Sequence, residues 1–366
     1  MSLDAARRLV EGLDLCINED DLGYPHFNDP TVHPFPLAKD GFRIVRDVKS
    51  GRKVAFVDGG NQELIGAPNF SVQLNRVYMG VWSNKSRVSV GMPRVEFFSA
   101  TFSSFRNDKI FFETFLVPGS SEFERYLPEG KDVSFDSFDR SIMKGNQRAD
   151  IDTVASIARR FAEWRFASLA LKHLSKGDIL VMDGTLQTGY TKEVNYLRNL
   201  SAAAKDRGII LTGLSKTSAL FTTTGLSLLG AVSKLAEDIK ISQEWYYPVA
   251  ESVSEDHNVM ILAVKLNRIS ERVYRYEIQR EQFNSLNELQ INEVLTALVQ
   301  NSCDPTFPGY PYGLIDADAF ARVSFDEIEY YRGIIISQIS ALGKLGKFNR
   351  HIRAIDAHSI LNMLIE

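Results

Sequence analysis

Near residue 150 the hydrophobic pattern changes its period, and few folds accommodate that change at that point. Upstream, KVAFVD (53–58), FSVQLNRVYMGVWS (70–83) and KIFFETFLV (109–117) read as β-strands. Residues 150–174, DIDTVASIARRFAEWRFASLALKHL, then place apolar side chains at helical spacing. Asp150 or Asp152 can cap the start of this helix, and Lys176-Gly177-Asp178 stops it. Next come ILVMD (179–183), a helix at about 191–207, and GIILTGLS (208–215). The order is strand, strand, strand, long helix, strand, helix, strand. Helix feeding strand twice over predicts parallel pairing, whereas a Rossmann fold would alternate from its start. The expected class is α/β: a ribonuclease H-like mixed sheet with flanking helices, plus N-terminal and C-terminal helical extensions. The remaining pattern predicts a helix near 227–239, strands near 259–265 and 273–279, a helix near 286–300, and a helical C-terminal third.

At 366 residues the chain suits one elaborated domain or two. Its net charge of -4 excludes a protein that grips nucleic acid simply by being basic. The charge is unevenly placed: -5 over residues 1–40, +3 over 84–110 and +2 over 341–366. Two cysteines, Cys16 and Cys303, make no disulfide framework, which points to a reducing interior. MSLDAARRLVEGL has an amphipathic pattern rather than that of a signal peptide. Apolar runs such as GIIIS near 335 fall far short of the roughly 18 residues that span a bilayer. A soluble, cytoplasmic protein with no membrane partner is expected.

Asp58 and Asp183 each end an apolar strand, in VAFVDGG and ILVMDGT. Carboxylates at the ends of adjacent strands can share a hard divalent cation, and the glycines let backbone approach. A strand-terminal Asp that merely opens a turn is the plainer alternative for either one alone. Glu163 lies inside the long helix among Phe161, Ala162, Trp164 and Phe166, where a carboxylate needs solvent or a cation. Lys216, in GLSKTS, could contact a scissile phosphate or stay a solvated loop lysine. Gly184 to Gly189 has the GxxxxG spacing of a phosphate loop, but Tyr190 stands where that loop requires Lys, so the motif is rejected. In FPGYPYGLIDADAFARVS (307–324), Asp316 or Asp318 could complete a carboxylate set, and Tyr310 and Tyr312 could stack on a base or pack on the core. The histidines form no paired motif near a cysteine, which argues against zinc.

Together these segments resemble the NurA nuclease family. The resemblance rests on VAFVDGG, on the helix bearing Arg160 and Glu163 that leads into ILVMDGTL, on GLSKTS, and on GYPYGLIDADAFARV; it spans roughly residues 50–325. It implies a ribonuclease H-like nuclease domain over 50–325, with a strand- and loop-rich, locally basic insertion at 84–150. An N-terminal extension (1–49) and a C-terminal helical segment (326–366) flank that domain. It also implies a Mn²⁺- or Mg²⁺-dependent DNA nuclease, a homodimer, and a hexameric HerA-type ATPase as partner. By position Asp58, Glu163, Asp183 and Asp318 would be the metal ligands, Lys216 an active-site cation, and Tyr310 and Arg160 substrate contacts. Relatives often carry Ser at Gly60, Pro at Gly313 and His at Asp318, so Asp316 stays open beside Asp318 as the fourth ligand. The implied activity is 5′–3′ exonuclease or endonuclease action in DNA double-strand break resection. Two other readings compete. One is a non-catalytic ribonuclease H-like module. The other is a sugar kinase–actin type phosphotransferase, whose longer Gly-rich signature and duplicated domain are not visible.

Overall fold

The computed structural model describes residues 2–46, 48 and 50–352. Its principal elements are α1 (Leu3–Cys16), β1 (Lys53–Ala67), β2 (Phe70–Ser83), β3 (Arg94–Arg106), β4 (Lys109–Pro118), α2 (Ile151–Ala170), β5 (Ile179–Asp183), α3 (Glu193–Arg207), β6 (Ile210–Ser215), α4 (Leu228–Asp238), β7 (Trp245–Val253), β8 (Asn258–Lys265), β9 (Tyr274–Gln279), α5 (Glu288–Asn301), α6 (Tyr312–Ala321) and α7 (Phe325–Ala341). The protein is mixed α/β, with a large mixed sheet and flanking helices. The expected succession is present as β1, β2, β4, α2, β5, α3 and β6, with β3 as an additional strand in the stretch expected to be strand- and loop-rich. No helix among the described residues is long and apolar enough to cross a membrane. The expected C-terminal helical segment is seen as α7, and residues 353–366 lie outside the described residues.

The chain divides into two compact units. One comprises Lys53–Leu180, Thr188–Ile209 and the chain from Gly313. In it β1 and β2 form a long antiparallel hairpin with a bulge between Glu63 and Ile65, and β2–β3 and β3–β4 pair antiparallel in turn. The β3–β4 turn places Asn107 and Asp108 at φ 50° and 57°, the left-handed pair that matches the twist of tight hairpins. α2 packs on β1, β2 and β3 and buries Phe161, Trp164 and Phe166. Each such aromatic contributes roughly 2–3 kcal/mol by leaving water. Asp150 takes the N-cap position without a side-chain capping bond, because Lys144 holds its carboxylate at 2.8 Å. Gly177, at φ 88°, turns the chain beyond the helix.

The other unit comprises the chain up to Arg52, Val181–Gln187 and Ile210–Tyr312. Its strands pair antiparallel in the order β7, β8, β9, β6. Within the N-terminal stretch α1 and a 3-10 turn at Lys39–Gly41 are helical, and Val32–Pro34 and Arg43–Ile44 pair with β7. β7 itself, WYYPVAESV, is missed by the sequence pattern, because Pro248 interrupts it and the register shifts between Pro248 and Ala250.

Glu277 on β9 is fully buried and is held by Arg275 at 2.5 Å, His257 at 3.2 Å and the Leu186 amide at 2.8 Å. Burial alone would raise its pKa, but Arg275, His257 and the amide together push it down to about 2. The folded value lies below the ordinary 4.5, so the stabilisation is whole above that pH and is lost as pH falls toward about 2. Melting temperatures should decline through this acid window. Glu277→Gln should lower the melting temperature at neutral pH, since unpairing a buried arginine costs about 3 kcal/mol, and should make the acid decline shallower. A wild-type melting temperature for this variant at pH 7 would contradict the assignment.

Candidate metal centre

Side chains alternate faces along β1, and this alternation sorts the site. Phe56, Asp58 and Gly60 share the face covered by α6. A Cβ on Gly313 of α6 would meet the Phe56 ring at 2.1 Å, and one on Gly60 would meet the Ala321 carbonyl oxygen at 2.4 Å. Tyr78, the cross-strand partner of Asp58, packs with Ala317 and Ala321. The two glycines therefore allow α6 to lie directly on β1, which brings Asp318 toward Asp58. A buried Arg76 secures this arrangement: it bonds Glu96 at 2.5 Å, Glu327 at 2.6 Å and the Arg322 carbonyl at 2.6 Å. These bonds tie the start of α7 to β2 and β3.

Gly59 faces the other way, toward α2. A Cβ there would meet Glu163 Oε1 at 2.4 Å. Glu163 is 3% exposed and is bound by Arg159, with Arg160 at 3.5 Å. Arg159 also donates to the Gly59 carbonyl at 3.1 Å and to Asn61 at 2.9 Å, and its pKa is raised chiefly by Glu163 and further by Asp58. The cation that accompanies Glu163 is thus a guanidinium. Arg160 is likewise engaged: it donates to Glu193 at 2.9 Å and lies over the Trp164 ring, whose Nε1 bonds the same carboxylate at 2.7 Å. Glu193 in turn accepts from the Gly189 and Tyr190 amides. Glu163, expected as a metal ligand, and Arg160, expected as a substrate contact, lie in a buried charge network with Arg159 and Glu193 at α2 and the start of α3. Arg159, Arg76 and Glu193 were not singled out from the sequence; an arginine four residues before a buried glutamate is the one legible signal.

Asp183 ends β5 and is followed by Gly184 at φ 102°, a conformation that favours glycine. The Gly184 amide bonds the Leu214 carbonyl at 2.8 Å, and a Cβ on Gly213 would strike the Gly184 carbonyl at 2.5 Å. The turn after Asp183 is therefore fixed on both sides. Lys216 Nζ lies 2.7 Å from Asp183 Oδ2, and the Tyr310 hydroxyl donates to Oδ1 at 3.4 Å. Tyr310 is 1% exposed and packs against Tyr274 and Phe307. Of the two expected roles, base stacking or core packing, the ring takes the packed position.

One carboxylate oxygen from each of Asp58, Asp183 and Asp318 lies within 4.8 Å of the others. Asp316, the other candidate on α6, instead pairs with Arg87 at 3.3 Å, and burial raises its pKa against the influence of that arginine. An all-oxygen, carboxylate-rich donor set suits a hard divalent cation. The residues present therefore fit a divalent metal.

The NurA domain model matches residues 52–323, and the chain belongs to the NurA family, a family of nucleases. A search of curated proteins finds no match. Among solved structures, the crystal structure of A. aeolicus Argonaute is similar at 11% identity and a TM-score of 0.28, over 76% of this chain and 28% of that one. So slight a likeness says nothing about activity, and this chain spans little more than a quarter of Argonaute's length.

The glycine contacts yield a direct expectation. Gly313→Ala should push α6 off Phe56, lowering stability by about 1–3 kcal/mol. It should also weaken Mn²⁺ binding more than its loss of stability explains, because Asp318 moves with the helix. Wild-type Mn²⁺ affinity by calorimetry would show that the close approach does not set the site.

Proposed function

We propose that this protein is a divalent-metal-dependent DNA nuclease that hydrolyses phosphodiesters during processing of double-strand break ends. The convergence of Asp58, Asp183 and Asp318 carries this reading, and membership of a nuclease family supports it. These three carboxylates would hold Mn²⁺ or Mg²⁺. Such a cation, when bound, supplies charge neutralisation at a phosphodiester and acidification of water. The chain's own residues perform the rest. Lys216, at Asp183, is placed to neutralise a phosphate oxygen. Tyr310 orients Asp183 through its hydroxyl. Arg159 and Glu163 support Gly59, the neighbour of Asp58, from the α2 side.

The nuclease domain would cover residues 50–325, flanked by the N-terminal and C-terminal segments, and would act in the cytoplasm as a homodimer. A HerA-type hexameric ATPase would deliver DNA as 5′–3′ exonuclease or endonuclease substrate. A net charge of -4 favours such delivery, since little non-specific attraction draws free DNA to the chain.

Asp58→Asn and Asp183→Asn should each abolish Mn²⁺-dependent DNA degradation in a gel assay, and wild-type rates in both would overturn the proposal. Mn²⁺ should raise the melting temperature of the wild type, since a ligand of the folded state stabilises it. Asp318→Asn should lose that rise and Asp316→Asn should keep it. A non-catalytic module would show no metal-dependent shift at all.

A further inference from the structure

Next to Asp58, on the face covered by α6, lies an arginine–aromatic cluster that the proposed chemistry leaves unused. Tyr78, cross-strand from Asp58, is 2% exposed and stacks on Phe320 of α6 with centroids 5.0 Å apart and planes 24° apart. The Arg87 guanidinium carbon sits 5.1 Å from the Phe320 centroid and 5.6 Å from that of Tyr78. Asp316, one helical turn before Phe320, holds Arg87 at 3.3 Å. Arg94 is the cross-strand partner of Tyr78 on β3 and pairs loosely with Glu96 at 3.6 Å. Arg94 is therefore two strands from Asp58, roughly 10 Å away.

A cluster serving only to pack the core would bury its aromatic and pair its arginines tightly. Here Phe320 is 44% exposed, and the Arg87 and Arg94 side chains are 41% and 50% exposed. The Tyr78 hydroxyl is buried with no hydrogen-bond partner among the described residues, and an unsatisfied buried group costs about 1–3 kcal/mol. An exposed ring beside oriented guanidinium groups has the chemistry of a single-strand platform: the ring accepts a base and the arginines accept phosphates. Both arginines belong to the segment 84–110, which carries +3 in a chain of net charge -4.

Resting on the nuclease reading above, we propose that Phe320, Arg87 and Arg94 guide a single strand of DNA to the carboxylates, with a base stacked on Phe320 and phosphates at the two arginines. Asp316 acts as a positioning residue for Arg87.

The test uses the full chain and a fluorescein-labelled oligothymidine, with binding followed by fluorescence anisotropy in EDTA. Phe320→Leu and Arg87→Gln should each weaken binding about tenfold, the scale of one lost stacking or cation contact. Arg332→Gln, which removes a charge on α7 of the same unit, should bind as wild type. With Mn²⁺ present, the first two variants should raise KM and leave kcat nearly unchanged. An oligonucleotide carrying iodo-deoxyuridine should photocrosslink to the Phe320 peptide of the wild type, a result that stands even if a variant folds poorly. Wild-type affinity in both folded variants, or crosslinks confined to other peptides, would overturn the platform. The two proposals separate cleanly. Mn²⁺-dependent cleavage with unaltered binding in the variants removes the platform and keeps the nuclease, whereas crosslinking at Phe320 without any cleavage does the reverse.

Discussion

The close approach of α6 to β1 is the constraint on which the candidate site depends. Lys216 offsets part of the charge at Asp183, Arg322 pairs with Asp318 at 2.9 Å, and Arg159 acts on Asp58 from the opposite face of β1. The buried clamp of Arg76 with Glu96 and Glu327 then holds α7 to the strands, which keeps α6 and Asp318 in place.

Steric openings matter as much as charge. Gly60 and Gly313 are the points where β1 and α6 meet, and at either one a Cβ would meet backbone oxygen or an aromatic ring. Gly59 plays the same part on the other face, where Glu163 lies against the backbone. The succession Asp58-Gly59-Gly60 therefore opens no turn and stays within the β1–β2 ladder. It exposes one carboxylate to α6 while allowing helices to approach β1 from both sides.

The modest net charge of -4 fits this construction. Acidic residues are concentrated before residue 40, while the locally basic stretch 84–110 supplies Arg94, cross-strand from Tyr78, and Arg87, which pairs with Asp316. A protein charged this way gains little from long-range attraction to a polyanion.

Asp58, read as a strand end, lies within β1, which runs on to Ala67. The strand–helix succession, the strand-end position of Asp183 and the candidacy of Lys216 were legible in the sequence. Each follows from local hydrophobic period or from glycine placement, which neighbouring residues set. The choice between Asp316 and Asp318 was not legible, because they sit two residues apart on α6 and only the packing of Ala317 and Ala321 on Tyr78 decides which flank faces Asp58. Nor was the fate of Glu163, since its pattern is the same whether a metal or a guanidinium answers its charge. Tyr310 read equally well as platform or wall until its burial was known. The sequence by itself determined which residues could carry the chemistry, because residue type and local period are written in it. Tertiary structure alone decided which of them meet, because the face of a strand and the flank of a helix acquire partners only when distant segments pack.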